Sequence, residues 1–146
     1  MKFKFIPHTA DIKFQAFGLS LEECFSNAGY ALINVICKDK IKNKEKKIIK
    51  IKARDLERLL REFLEELLYL LDVGDFLVGK FEKVYIKGVG QGKKRNYELI
   101  AEVSGDNVKN YESEGDVKAV TYNDMWIKCP SKDGNSKFTC QVVIDV

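Results

Sequence analysis

A single histidine, His8, in a chain of 146 residues excludes a multi-histidine metal site at the outset. No serine or cysteine stands in a G-x-S-x-G context, so hydrolysis through a nucleophile elbow has no support. The four cysteines, Cys24, Cys37, Cys129 and Cys140, are scattered, and no pair has the close spacing of a zinc or redox motif. Reduced, mostly structural thiols are the expectation, with Cys24 and Cys140 on apolar faces. The N-terminus lacks the apolar stretch of a signal peptide, and no segment approaches the length needed to span a bilayer. That implies a soluble, cytoplasmic protein with no membrane association. An excess of one charge is nearly missing too: 25 Lys and Arg against 22 Asp and Glu leave +3, which does not by itself imply a nucleic-acid partner. Repeats and low-complexity segments are absent.

What is present fits one domain over residues 1–146, long enough to bury a core without staples. Ser20 with Glu23 three residues later reads as a capping box, and Leu21, Phe25, Ala28, Leu32 and Val35 follow at helical spacing up to about Cys37. Asp55 can cap a second helix whose broad stripe runs from Leu56 to Leu71, with Gly74 in the turn after it. Alternation predicts a strand at Ile12–Ala16 and another at Lys47–Ala53. Further short strands are predicted at Phe81–Lys87, Tyr97–Val103, Val117–Tyr122, Met125–Cys129 and Phe138–Ile144. Gly88, Gly90 and Gly92 suit a hairpin loop, Asp133-Gly134 a tight turn, and the polar stretch from Ser104 to Asp116 a surface loop. The fold class is α+β: two main helices packed on a largely antiparallel sheet.

The candidate chemistry lies at the chain's two ends. In the last strand Phe138, Cys140, Val142 and Ile144 alternate with Thr139, Gln141, Val143 and Asp145, which sets Asp145 on the side away from the core. The same count turns Asp11 outward at the head of the first long strand. Carboxylates brought together by docked ends, with the terminal oxygens of Val146 beside them, would suit a hard cation such as calcium. Alternatively each Asp caps a turn or faces water. His8, after Pro7 and beside Thr9, permits a His/Asp constellation but equally suits a hydrogen bond to its own backbone at a strand entrance.

Two further segments compete for attention. The glycines at 88–92 lack a following helix to hold an anion, so a flexible hairpin is the better reading there. The lysines from Lys38 to Lys52 form a positive stretch interrupted by Asp39 and Glu45, with few aromatics interleaved and no arginine. It reads as a solvated basic edge, with phosphate-backbone contact as the minority option. In Lys118-Ala119-Val120-Thr121-Tyr122, Lys118 and Thr121 point in opposite directions unless a bulge intervenes.

His8-Thr9-Ala10-Asp11 with Gly18 and Leu21-Glu22-Glu23, then Asp55-Leu56 with Leu59-Leu60, then Lys118-Ala119-Val120-Thr121-Tyr122, then Val143-Ile144-Asp145-Val146 together resemble the archease family over nearly the whole chain. The resemblance implies a non-enzymatic activator of the GTP-dependent tRNA-splicing RNA ligase, promoting its guanylylation and multiple turnover. It also implies a bound divalent metal, typically calcium, with Asp11 and Asp145 as side-chain ligands and a main-chain oxygen from Val146. Asp39 matches a commonly acidic position of the same patch, while Lys118 and Thr121 sit in the motif near the functional surface, with His8 as a further candidate. Asn123 stands where many members carry His, and Gly105-Asp106 where a Gly-Glu pair is common, which leaves those contributions open. The rival readings are an RNA-binding or chaperone-like module in tRNA processing, with indirect or weak contact with tRNA, and a metal-dependent phosphoesterase using Asp11, Asp39 and Asp145. Lysine richness and frequent isoleucine suit a heat-tolerant source.

Overall fold

The structure, a computed structural model, describes residues 1–7, 10–131 and 136–146. Among the described residues seven strands and two long helices run in the order β1 (Phe3–Ile6), β2 (Ile12–Gly18), α1 (Leu21–Ile36), β3 (Glu45–Ala53), α2 (Leu56–Gly74), β4 (Phe76–Val89), β5 (Asn96–Asn107), β6 (Ala119–Lys128) and β7 (Phe138–Asp145). The α+β class stands. The strands, however, divide between two antiparallel sheets, one ordered β1-β2-β7-β6 and the other β3-β5-β4. The helices fill the space between them: α1 packs on β2 and β7 and reaches β4, while α2 lies on β3, β4 and β5 and meets β6.

Local chemistry explains both helices. The Ser20 hydroxyl accepts the Glu23 N–H at 3.1 Å, and the Glu23 carboxylate reaches back to the Leu19 N–H at 3.2 Å, one residue before the cap. Behind this start Gly18 ends β2 tightly, since a Cβ there would run into the backbone of Cys24. Asp55 caps α2 by accepting the Arg58 N–H at 2.8 Å. The left-handed residue ending α2 is Asp75 (φ 53°), not Gly74, which remains helical, and the Asp75 N–H closes on the Leu71 carbonyl at 3.0 Å. The two helices meet through Phe25 and Phe63, whose ring centroids are 6.2 Å apart.

Three strand expectations change. β4 begins at Phe76, immediately after the left-handed cap, so it is longer than its alternating part suggests. The runs Val117–Tyr122 and Met125–Cys129 are one strand, β6, interrupted by an irregularity between Thr121 and Trp126 where Asp124 takes φ 53°. The stretch from Ser104 to Asp116 is not all surface loop. β5 continues to Asn107, and Ser104 and Asp106 are buried with their polar groups satisfied: the Ser104 hydroxyl donates to Glu82 at 3.0 Å, and the Asp106 carboxylate accepts the Tyr111 hydroxyl at 2.8 Å, the Asn107 N–H at 2.8 Å and the Asn110 amide at 3.2 Å. The Asp133-Gly134 turn lies outside the described residues.

The thiols behave as expected. None is bridged; Cys24, Cys37 and Cys140 are buried and Cys129 is exposed. A hydrogen bond with Cys24 and then burial push the Cys140 thiol well up, which keeps it protonated and unreactive. Among the described residues no helix is long and apolar enough to cross a membrane.

Candidate functional site

β7 is flanked by β2 on one side and β6 on the other, so the chain's last strand is held on both edges. The β2–β7 ladder ends at the Ile12–Ile144 pair, so Asp11, in a bend just before β2, and Asp145, the last residue of β7, lie at neighbouring strand ends. Ile144 is fully buried, so the alternation along β7 turns Asp145 to the other face, whereas Asp11 precedes β2 and lines a cleft beside the end of α1. The strand end is pinned by its backbone: the Lys118 N–H donates to the Asp145 carbonyl at 2.8 Å. Both aspartates are half-buried, and among the described residues neither carboxylate has a hydrogen-bond or ion-pair partner.

A cleft of about 440 Å³ opens beside Asp11, with Phe5, Ile12, Asn34 and Val35 among its walls and Lys38 and Glu114 at its side. Asn34 and Val35 belong to the last turn of α1, where the carbonyls carry partial negative charge and no basic residue of the helix itself offsets them. Lys38, just past the helix, holds Glu114 at 3.5 Å, and the Glu114 N–H donates to the Ile36 carbonyl at 2.8 Å. Glu114 is the site residue that sequence reasoning missed. No periodicity marks it, because only the crossing of the segment after β5 over the end of α1 brings it there.

The other candidates are distributed differently. Asp39 is exposed and lines a neighbouring groove with Lys2, Phe3 and Tyr30, not the cleft that holds Asp11. His8 lies outside the described residues. Lys118 is exposed and precedes β6, acting on Asp145 through its main chain. The Thr121 hydroxyl donates to the Val143 carbonyl at 3.3 Å and accepts the Asn123 N–H at 3.2 Å, which shapes the irregularity in β6. That irregularity follows Thr121 and does not separate it from Lys118. Further along the outer face, Lys13 pairs with Asp124 at 3.1 Å and Gln15 with Gln141 at 3.0 Å.

The archease protein family (MTH1598/TM1083) matches residues 3–146. The chain belongs to the archease family. It is similar to the protein archease of Methanosarcina barkeri, 37% identical over 148 residues that cover 99% of this chain and 96% of the relative. The protein archease of Pyrococcus abyssi is 37% identical over 142 residues, covering 95% and 94%. The solution structure of Methanobacterium thermoautotrophicum protein 1598 has the same fold, with a TM-score of 0.76 at 30% identity over 99% of this chain and 98% of that one.

Within this archease fold the residues at the paired strand ends can be tested against a divalent cation. Among the described residues no three His, Cys, Asp or Glu side chains converge closely enough to hold a metal. The donors available at these strand ends are two carboxylates without partners among the described residues, and the main-chain oxygens of Val146, which follows Asp145 in the chain. All are hard oxygen donors, with no thiolate or imidazole among them. Such a set fits calcium, which takes six to eight oxygens and fills the remaining positions with water or a partner's oxygens. It does not fit a structural zinc site, which needs four enclosing nitrogen or sulfur ligands. Asp106 is committed to the fold through Tyr111, Asn107 and Asn110.

Proposed function

We propose that this archease-family chain acts in tRNA splicing as a non-enzymatic activator of the GTP-dependent RNA ligase, promoting guanylylation and repeated turnover through the acidic end formed by Asp11 and Asp145. The observation that supports this reading is the placement of two carboxylates, unpartnered among the described residues, at neighbouring strand ends in a chain that the family matches over residues 3–146. Asp11, Asp145 and a main-chain oxygen of Val146 would hold a divalent cation, with calcium favoured by the all-oxygen donor set. When bound, the cation neutralises the two carboxylates and offers open positions to a phosphate or carboxylate oxygen of the ligase.

The chain's own contribution is placement. Lys118 fixes the backbone of Asp145, β2 and β6 clamp β7 between them, and the Lys38–Glu114 pair borders the cleft a partner segment would enter. An activator of this kind works by binding the guanylylation-competent conformation of the ligase more tightly than the other, so it needs no bond-making groups of its own. The test is formation of the ligase–GMP adduct by the cognate ligase and GTP, with and without this protein. Faster adduct formation that is lost on chelation of divalent ions supports the reading. An unchanged rate at saturating protein contradicts it.

A further inference from the structure

The second sheet leaves one face bare. In β5, Leu99, Ala101 and Val103 are fully buried beneath α2, so Glu98, Ile100 and Glu102 look outward. The register places Lys50, Ile100 and Tyr85 side by side across the sheet, with Lys52, Glu98 and Lys87 in the next outward row and Ile48, Glu102 and Lys83 in the row on the other side. Tyr85 is 61% exposed and Ile48 58%. Lys83 and Lys87 bracket Tyr85 at alternate positions of one strand.

Charge decides what this face can receive. With the next row, Lys46, Ser104 and Lys80, and the bulged Glu82 added, six lysines and three glutamates share it, Glu82 being held by Lys80 at 3.5 Å, and the excess of three equals the net charge of the whole chain. The glutamates are already neutralised: Glu98 by Lys52 at 3.0 Å and Lys87 at 3.4 Å, Glu102 by Lys46 at 3.9 Å. Among the described residues Lys50 and Lys83 have no carboxylate partner, and both lie beside the Tyr85–Ile100 pair. A second copy of the chain would set lysine against lysine here, so the face is unsuited to self-association. The lysine run of β3 lacks aromatics in its own sequence, and β4 supplies one through the sheet.

We propose that the outer face of the β3-β5-β4 sheet binds single-stranded RNA, with a base stacked on Tyr85 and the neighbouring phosphates met by Lys50, Lys83 and Lys87. An exposed aromatic flanked by cations at strand spacing is what sequence-tolerant single-strand binding requires, because every base has a face to stack and every linkage a phosphate. A duplex keeps its bases inside the stack and cannot use Tyr85. The face is on the sheet opposite the one that carries Asp11 and Asp145, so RNA binding does not depend on the ligase-activating role.

The experiment is fluorescence anisotropy of a labelled 12-nucleotide oligouridylate, with a duplex RNA of equal length alongside, across a salt series. Single-strand binding that weakens steeply with salt is expected, with Tyr85→Ala weakening it about tenfold and Tyr85→Phe retaining it. Lys50→Ala and Lys83→Ala should each lower the log–log salt slope by about 0.7. Asp11→Ala should leave binding unchanged, which separates this result from any failure of ligase activation. These side chains are exposed, so each variant should keep the wild-type melting temperature. No binding at low salt, or equal affinity for the duplex, overturns the proposal. So does loss with the lysine variants but none with Tyr85→Ala, which would mark a face for an acidic protein surface.

Discussion

The carboxylate of Glu65 on α2 accepts the N–H of Val120 on β6 at 2.9 Å. Arg61, one turn earlier, donates to the Val120 carbonyl at 2.9 Å and pairs with Glu65 at 3.4 Å. β6 is the edge of its sheet, and its outward backbone groups at Val120 would otherwise be unpaired. Glu65→Ala leaves a half-buried N–H without an acceptor and should cost about 1–2 kcal/mol, whereas Glu65→Gln keeps an acceptor and should cost less. Chemical denaturation of the two variants measures the difference.

Gly29 sits inside α1 where alanine would ordinarily stabilise the helix by about 1 kcal/mol. Here a Cβ would press into the ring of Phe81, which is itself held edge-on by Tyr30 at 4.9 Å and packed on Phe63 at 5.6 Å. Overpacking of that kind costs about 1–3 kcal/mol, so Gly29→Ala should destabilise despite its better propensity. Adding Phe81→Leu should recover part of the loss in a double-mutant cycle.

Asp106 is kept ionised by the Tyr111 hydroxyl first, then by the Asn107 N–H, the Lys44 ammonium and the Asn110 amide, and these hold its carboxyl below the usual range against the opposing effect of burial. A carboxyl with a lowered pKa in the fold contributes stability that is fully present above its unfolded pKa of about 3.9 and is lost as pH falls through the folded value. Thermal midpoints of wild type should therefore fall more steeply than those of Asp106→Asn below about pH 4. Parallel profiles would show that the network does not depend on the charge.

Calcium should stabilise the protein through Asp11 and Asp145. At one hundred times its dissociation constant the effect is about 2.7 kcal/mol, read as a rise in melting temperature that a chelator reverses. Asp11→Asn and Asp145→Asn should each remove the rise. Without calcium either substitution should be close to neutral, because neither carboxylate has a partner among the described residues to lose. An undiminished rise in the double variant would move the cation elsewhere.

The helices and the strand that carries the site were legible because their signals are local. Ser20 with Glu23 and Asp55 with Arg58 are contacts within one turn, and the alternation from Phe138 to Ile144 shows which side Asp145 faces. What pairs with what was less legible. The separation of β3, β4 and β5 into their own sheet, the burial of Ser104 and Asp106, and the continuity of β6 through Asp124 all depend on partners far along the chain. Val143 illustrates the limit: its alternation puts it on the outer face, yet it is buried there between Lys13 and Thr121 on the flanking strands. For the site itself, that Asp11 and Asp145 lie at strand ends could be read from the sequence and the resemblance, whereas their being neighbours rests on the β2–β7 register, which ends at Ile12 and Ile144. Glu114 could not be anticipated, since its approach to the cleft is set by where a loop crosses a helix end.

The most direct measurement is multiple-turnover RNA ligation by the cognate ligase with GTP, comparing wild type with Asp145→Asn and with Asp124→Asn, a carboxylate on the same sheet face paired to Lys13. The account predicts that Asp145→Asn, folded as wild type, no longer raises the number of ligations per ligase molecule, while Asp124→Asn still does. Full stimulation by Asp145→Asn would contradict it.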